Sequence, residues 1–544
     1  MKSIVTLSQF ARTLKPLLML LPALALLFGT GCDKDPVAEV PEDPQTPDPT
    51  TITLSTYDIV LSRGNTAVVD VKVTGITADG SALALETESG DAPQYVYIST
   101  YYNVSKDLVR LTLRDKRTAD TGQKYNDAVY VVHTPSGCKS DQPIQMHSTP
   151  YMPVVYVTTE VAQGSITKDT WVKGTIEIDG GGDLPDLEKM VTEVKGRGNS
   201  TWGWEKKPYA LKLDSKQEVL GMPKHKRWCL IANYMDRTHL RNRVAYYISE
   251  NTDLAYTTRN KYAELYFNGA YYGLFLLTEQ IKEDKNRVNI TELGSSDNSG
   301  EAVTGGYLLE FDTNFDEDKR FRSIYSQIPV NLKYPDAEDI TAEQWNYIQS
   351  YVNEVDKAVY ALSNGSGSPA AVWELLDRNS MIDFWIVFEI MANHEILHPK
   401  SIYFHKDRGG KLVAGPVWDF DYETLVQHTQ TRWINYNLSY AYNEFNWYER
   451  NWWNILLKYD ASFRADVKAR WNELYPFLQT VPAFMESERK SIAEAEKRNR
   501  QRWPSINTGG PNRDESLSFD DAVDRLKEVY NTRLQWMNSQ IANW

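Results

Sequence analysis

A chain of 544 residues with 42% hydrophobic and 12% aromatic content is long enough for two to four domains with real cores. Its formal net charge of -14 argues against nucleic acid as the main partner, because phosphate backbones need a basic excess on at least one face. Three cysteines are no disulfide framework, and no Cys/His cluster has zinc spacing.

Lys2, Arg12 and Lys15 precede an apolar run from Leu17 to Phe28, and Gly29-Thr30-Gly31-Cys32 follows. Residues 1–32 read as a secretion signal that ends in small residues before a cysteine. The arrangement resembles a bacterial lipoprotein signal, which implies that Cys32 becomes the lipidated first residue of the mature protein, although Gly29 stands where that pattern usually has Leu. The run is short for a spanning helix, and an uncleaved anchor is the alternative. Asp33-Lys34-Asp35 is similar to the acidic tract of Bacteroidetes surface lipoproteins, so a secreted, outer-membrane-anchored protein is expected, periplasmic or at the cell surface. Residues 33–51, rich in Pro, Asp, Glu and Thr, cannot bury enough apolar surface to fold and read as a tether.

From 52 to 149 short alternating runs recur: Val68 to Val73, Tyr95 to Ile98, Val109 to Leu113 and Ala128 to Val132. Turn clusters separate them, which predicts a small immunoglobulin-like β-sandwich. It carries no catalytic constellation, and a spacer or glycan-contacting module is the expected role.

Pro150 and Pro153 open the next region, 150–544, whose first part to about 335 is sheet-rich. Strand-like runs at Val154 to Val157, Trp171 to Ile178 and Val191 to Lys195 lead into Gly196-Arg197-Gly198-Asn199-Ser200-Thr201. Such a turn can present backbone N–H groups to an anion while Arg197 supplies a planar fork for phosphate oxygens, yet glycine turns after strands are also commonplace. In Lys206 to Leu213, alternation puts Tyr209, Leu211 and Leu213 on one face with Ala210 and Lys212 on the other. Lys212 then either reaches a phosphate as a point charge or snorkels to water from an edge strand. Asp236 is a candidate N-cap for a helix through Arg241 and Ile248. Asn268-Gly269, between two apolar runs, predicts a type I′ hairpin whose second strand ends at Glu279.

Beyond Thr341 the spacing of Trp345, Ile348, Val352, Val355 and Val359 is helical, so 336–544 is expected to be a helix-rich lobe. Met381 to Met391 leads into the polar loop Asn393 to Ser401, and Gly415-Pro416-Val417-Trp418-Asp419-Phe420-Asp421 follows. Residues i and i+2 of an extended segment point the same way, so Asp419 and Asp421 can share one hard cation, Mg²⁺ or Mn²⁺. A lone Asp-x-Asp can equally be an acidic turn facing water.

Taken together, Arg197-Gly198-Asn199-Ser200-Thr201, Lys207-Pro208-Tyr209-Ala210-Leu211-Lys212, Asp236 with Arg241-Asn242, Tyr272 to Glu279 and Trp418-Asp419-Phe420-Asp421 resemble the CotH kinase family, the spore-coat protein H-like atypical kinases. The resemblance spans roughly 150 to 430. It implies an α+β, protein-kinase-like fold of two lobes that binds ATP with a divalent metal and phosphorylates Ser or Thr of proteins, here secreted or surface proteins. By resemblance Asp419 and Asp421 hold the metal, and Arg197, Asn199, Ser200, Lys207, Lys212, Arg241 and Glu279 surround the nucleotide and its phosphates. The family's catalytic aspartate falls nearest to Glu395, 24 residues before Asp419. That departure matters: the extra methylene displaces a carboxylate by roughly an ångström, which can cost on the order of a hundredfold. His394 or His398 can share the role. Two other functions fit the composition: a surface protein of the same fold that binds polysaccharide or protein through its Trp and Tyr rings, and a carboxylate-based glycoside hydrolase using Glu395. Outside the cytoplasm ATP is scarce, so the phosphoryl donor stays open.

Overall fold

Period-two alternation runs through the first hundred residues of the described chain and pairs them into two sheets. The computed structural model describes residues 51–61, 66–117, 125–148, 152–181, 184–436, 451–504, 512–514 and 516–544. The expected signal, Cys32 and the tether to residue 50 lie outside the described residues. Strands β1 (Thr51–Leu54), β2 (Asp58–Leu61), β3 (Thr66–Thr74), β4 (Leu83–Thr87), β5 (Val96–Ser105), β6 (Leu108–Asp115), β7 (Asn126–His133), β8 (Cys138–Lys139) and β9 (Ile144–Ser148) form them. One sheet runs β1-β3-β6-β5 and the other β2-β9-β7-β4, with β8 beside β7. Val69, Val71, Leu111 and Leu113 of the first sheet share a core with Val129, Val131 and Ile144 of the second.

The next seven strands are β10 (Val154–Thr159), β11 (Val172–Asp179), β12 (Leu187–Gly196), β13 (Tyr209–Val219), β14 (Met222–Ile231), β15 (Asn260–Phe267) and β16 (Ala270–Glu279). They close into a barrel in the order β10-β11-β12-β13-β14-β16-β15, sealed by parallel pairing of β15 with β10. Alternation decides what each face does. Val155, Val194, Leu211, Trp228, Leu230 and Phe275 fill the interior. Lys195, Ala210 and Cys229 align across β12, β13 and β14, on the opposite side of the pleat. Asn268 and Gly269, both at positive φ (49° and 77°), make the expected hairpin turn between β15 and β16.

Helix α1 (Arg241–Glu250) lies between β14 and β15 in sequence, and its N-cap is Leu240 rather than Asp236. A turn from Asp236 to His239 intervenes, yet the Asp236 carboxylate still accepts the Arg241 N–H at 2.8 Å. It serves the helix start from five residues upstream.

A second sheet draws its strands from both sides of residue 335. β17 (Tyr307–Phe311), β18 (Arg320–Arg322) and β19 (Pro329–Tyr334) join β20 (Ile402–Lys406) and β21 (Leu412–Ala414), which follow the first helices, in the order β18-β19-β17-β20-β21. The further helices are α2 (Ala342–Ser363), α3 (Pro369–Trp373), α4 (Arg378–Ile390), α5 (Trp452–Tyr459), α6 (Ala461–Leu478), α7 (Val481–Arg502), which packs on β16 of the barrel, and α8 (Phe519–Ile541). One core joins the outward faces of β14 and β16 (Cys229, Ile231, Leu274, Leu276) to Val244 of α1, Leu309 and Phe404 of the second sheet, Phe384 and Phe388 of α4, and Val523 of α8. Among the described residues no helix is long and apolar enough to cross a membrane.

Candidate functional site

Because Lys195, Ala210 and Cys229 face away from the barrel interior, they form one wall of a cavity of about 800 Å³. The turn Gly196 to Thr201 extends that wall, and the lining also takes in Glu310 and Lys333 of the second sheet, Asp312 just after β17, and Glu395, Lys400, Trp418, Asp419 and Asp421.

Buried asparagines hold the two carboxylate-bearing loops together. Asn393, just after α4, accepts the Glu395 N–H on Oδ1 (2.7 Å) and donates through Nδ2 to the Asp419 carbonyl (3.0 Å) and to Thr424 Oγ1 (3.3 Å). Asn242 of α1 accepts the Phe420 N–H at 2.7 Å. Asn512, between α7 and α8, donates to the carbonyls of Asp421 (2.7 Å) and Met235 (2.9 Å) and accepts the Thr424 N–H (3.2 Å). Asp419 thereby sits at φ 69°, a left-handed conformation that Asp tolerates better than most side chains and that neighbouring hydrogen bonds must hold.

Crowding of like charge in a dry site shapes the protonation states. Asp421 is buried and shares a hydrogen bond with Asp419, and burial, then the Asp419 charge, hold its pKa well above the usual carboxylate range. Burial also pushes Glu395 well up, reinforced by Asp419, Asp312 and Asp421 and opposed by Lys400. Glu395 Oε2 is buried with no hydrogen-bond partner. Burial and Glu310 raise Asp312 to about 7. Arg197 stacks over the Trp418 ring, 5.2 Å from its centroid. Burial opposes its charge, but Cys229 and Asp419 outweigh that and its pKa stands above the ordinary value.

Of the residues singled out from sequence, Arg197, Asn199, Ser200, Glu395, Asp419 and Asp421 all line this one cavity. Lys207, Lys212, Arg241 and Glu279 do not, and each has protein partners instead. Lys207 donates to the Trp202 carbonyl and stacks on its ring. Lys212 lies opposite Glu193 in the strand register and pairs with it at 2.8 Å. Arg241 is buried between Asp236 and Asp514 and also donates to the Thr424 carbonyl. Glu279 takes Tyr256, Arg259 and Arg287. Charges already matched inside the fold are not free to meet a phosphate. Sequence reading missed Asp312, Lys400 and Asn512. Asn512 has no local signal at all, since its partners lie roughly 90 and 280 residues away in the chain, farther than any short-range pattern reaches.

Two carboxylates in hydrogen-bond contact and a third with an orphaned buried oxygen suit a hard divalent cation. Among the described residues no group of three or more His, Cys, Asp or Glu is placed to hold a metal by itself. The arrangement is an acidic cleft on the outside of a closed barrel.

The description CotH kinase protein matches residues 194–537, more than half of the chain, and the chain belongs to that family. The match starts within β12 and ends in α8, so the C-terminal helices belong to the family's domain, beyond the point near 430 where the sequence motifs end. No curated protein matches the chain.

Proposed function

We propose that this chain is an atypical kinase that transfers a phosphoryl group from ATP, with Mg²⁺ or Mn²⁺, to Ser or Thr hydroxyls of secreted or surface proteins, while held outside the cytoplasm by a lipid on Cys32. The observation that carries this is the convergence of Glu395, Asp419 and Asp421 with the Arg197 turn in one cavity. Asp419 and Asp421 are the residues that would hold the cation. Bound there, a divalent ion neutralises charge on phosphate oxygens. The Gly196 to Ser200 turn and the Arg197 guanidinium orient the phosphate chain, since fixed donors act without reorganising during the reaction. Glu395, with one unpaired oxygen, takes the proton of the acceptor hydroxyl, and Lys400 favours its ionised form.

The test is Glu395→Gln. The variant is expected to keep nucleotide-dependent thermal stabilisation and to lose phosphate transfer from radiolabelled ATP to a serine-rich peptide. Transfer at the wild-type rate would move the base to another residue. A second reading, polysaccharide contact, rests on the N-terminal sheets, where exposed tyrosines share one strand. Tyr97, Tyr101 and Tyr102 of β5 are exposed, whereas no Trp among the described residues is.

A further inference from the structure

At one end of the cavity lie cations that the reaction scheme above does not use. Lys195 of β12 and Lys282, three residues after β16, both line it. Both feel the charges of Arg227, Lys333 and Glu317, which places them in one neighbourhood. Lys333 is already engaged by Glu310 and Glu317. Among the described residues, no hydrogen bond or ion pair reaches the ammonium of Lys195 or Lys282 or the guanidinium of Arg227. Lys195 and Arg227 stack on the Trp171 ring at 5.0 and 4.9 Å from its centroid, and Lys282 has no such support.

We propose that Lys195 and Lys282, with Arg227 stacked on the same Trp171 ring as Lys195, form a second phosphate subsite, which binds the phosphate groups of the donor that are not transferred. This rests on the phosphoryl-transfer reading of the cavity. Geometry sets the direction. Lys195 and Arg197 are two residues apart at the end of one strand, about 7 Å along the chain, and Arg197 is the cation that senses Asp419. A phosphate chain laid from the Asp419 pair past Arg197 therefore runs toward Lys195 and Lys282. The Arg227 charge disfavours the charged form of both lysines, while Asp336 and Glu317 favour it in Lys282, Glu317 and Asp169 in Lys195, and Asp336 and Glu193 support Arg227. Burial lowers the pKa of all three, and the Arg227 charge lowers both lysines further, so an anion seated beside the lysines removes a cost that the free protein carries. An ammonium without a partner in a cleft costs more than it contributes unless a ligand answers it. Lys195 and Lys282 differ from Lys212, which stacks on the same Trp171 ring as Lys195 but is ion-paired with Glu193.

The probe is inorganic pyrophosphate in the absence of metal, titrated calorimetrically into the wild type and into Lys282→Met, Lys195→Met and the control Lys212→Met. Lys282→Gln is the second variant should the methionine fail to fold. The first two variants are expected to weaken pyrophosphate at least tenfold, with Lys212→Met and the affinity for adenosine unchanged. Unchanged pyrophosphate affinity in both lysine variants would overturn the proposal. So would normal pyrophosphate and ATP binding combined with a raised KM for an acidic acceptor peptide, which would give these cations to the acceptor. Lysine-dependent pyrophosphate binding without any transfer from ATP would support the subsite while refuting the kinase reading on which it was built.

Discussion

Asp312→Asn separates the electrostatics of the cavity from its shape. The Asp312 carboxylate is 4% exposed, accepts the N–H groups of Asn314 (2.6 Å) and Ser401 (3.1 Å), and has its pKa raised from 3.8 to about 7 by burial and by Glu310. Between those two values the folded state binds more protons than the unfolded state, so stability falls as pH rises through the window. At 1.36 kcal/mol per pH decade, the displacement is worth about 4 kcal/mol, fully present as a cost above pH 7 and absent below pH 4. An asparagine keeps the side-chain volume and one acceptor but does not titrate. Any loss from its poorer hydrogen bonds is the same at every pH. Melting temperatures of the two proteins from pH 4 to 8 should therefore show the variant gaining on the wild type as pH rises, with the gain levelling off above pH 7. Parallel curves would refute the reasoning. Activity gives a second readout, because the Asp312 charge also holds Glu395 up, after burial and Asp419. The acid limb of kcat is expected to move to lower pH in the variant.

Asn512→Ala strands two buried carbonyls and one N–H, at about 1–3 kcal/mol each, so a loss of about 3 kcal/mol or more is expected, together with weaker Mn²⁺ binding. Unchanged Mn²⁺ affinity would confine Asn512 to stability. Lys212→Ala removes a half-exposed pair worth about 0–1 kcal/mol and is expected to leave nucleotide affinity untouched. A large loss of affinity would return Lys212 to the phosphate site.

Local pattern carried far in this chain where structure is local. The alternation of β13 separates Leu211 from Ala210, and Asn268-Gly269 turns a hairpin, because both follow from the geometry of a few adjacent residues. Closure of the barrel was not legible, since it rests on a parallel pairing of Val154 to Val157 with Glu264 to Phe267, across more than a hundred residues. The same limit governs the cations. Lys195 and Lys212 both lie on the outward face, and a lysine's spacing along its own strand says nothing of Glu193 across the ladder. Arg241 and Asp236 are five residues apart, but the second acid that buries the guanidinium, Asp514, comes from between α7 and α8. The switch from strand to helix periodicity is real at Thr341, but that the second sheet takes β20 and β21 from beyond it is a long-range pairing of the same kind. Asp419 and Asp421 stood out because a two-residue spacing of acids is itself a local pattern.

The measurement that bears most directly on the central claim is thermal unfolding with and without ATP plus Mg²⁺ or Mn²⁺, for the wild type and for Asp419→Ala. A ligand that binds only the folded state contributes about 2.7 kcal/mol at a hundred times its Kd. The account predicts a metal-dependent rise in midpoint for the wild type and none for the variant, with the variant otherwise folded. Saturating nucleotide and metal that leave the wild-type midpoint unmoved, or a rise that survives Asp419→Ala, would contradict it.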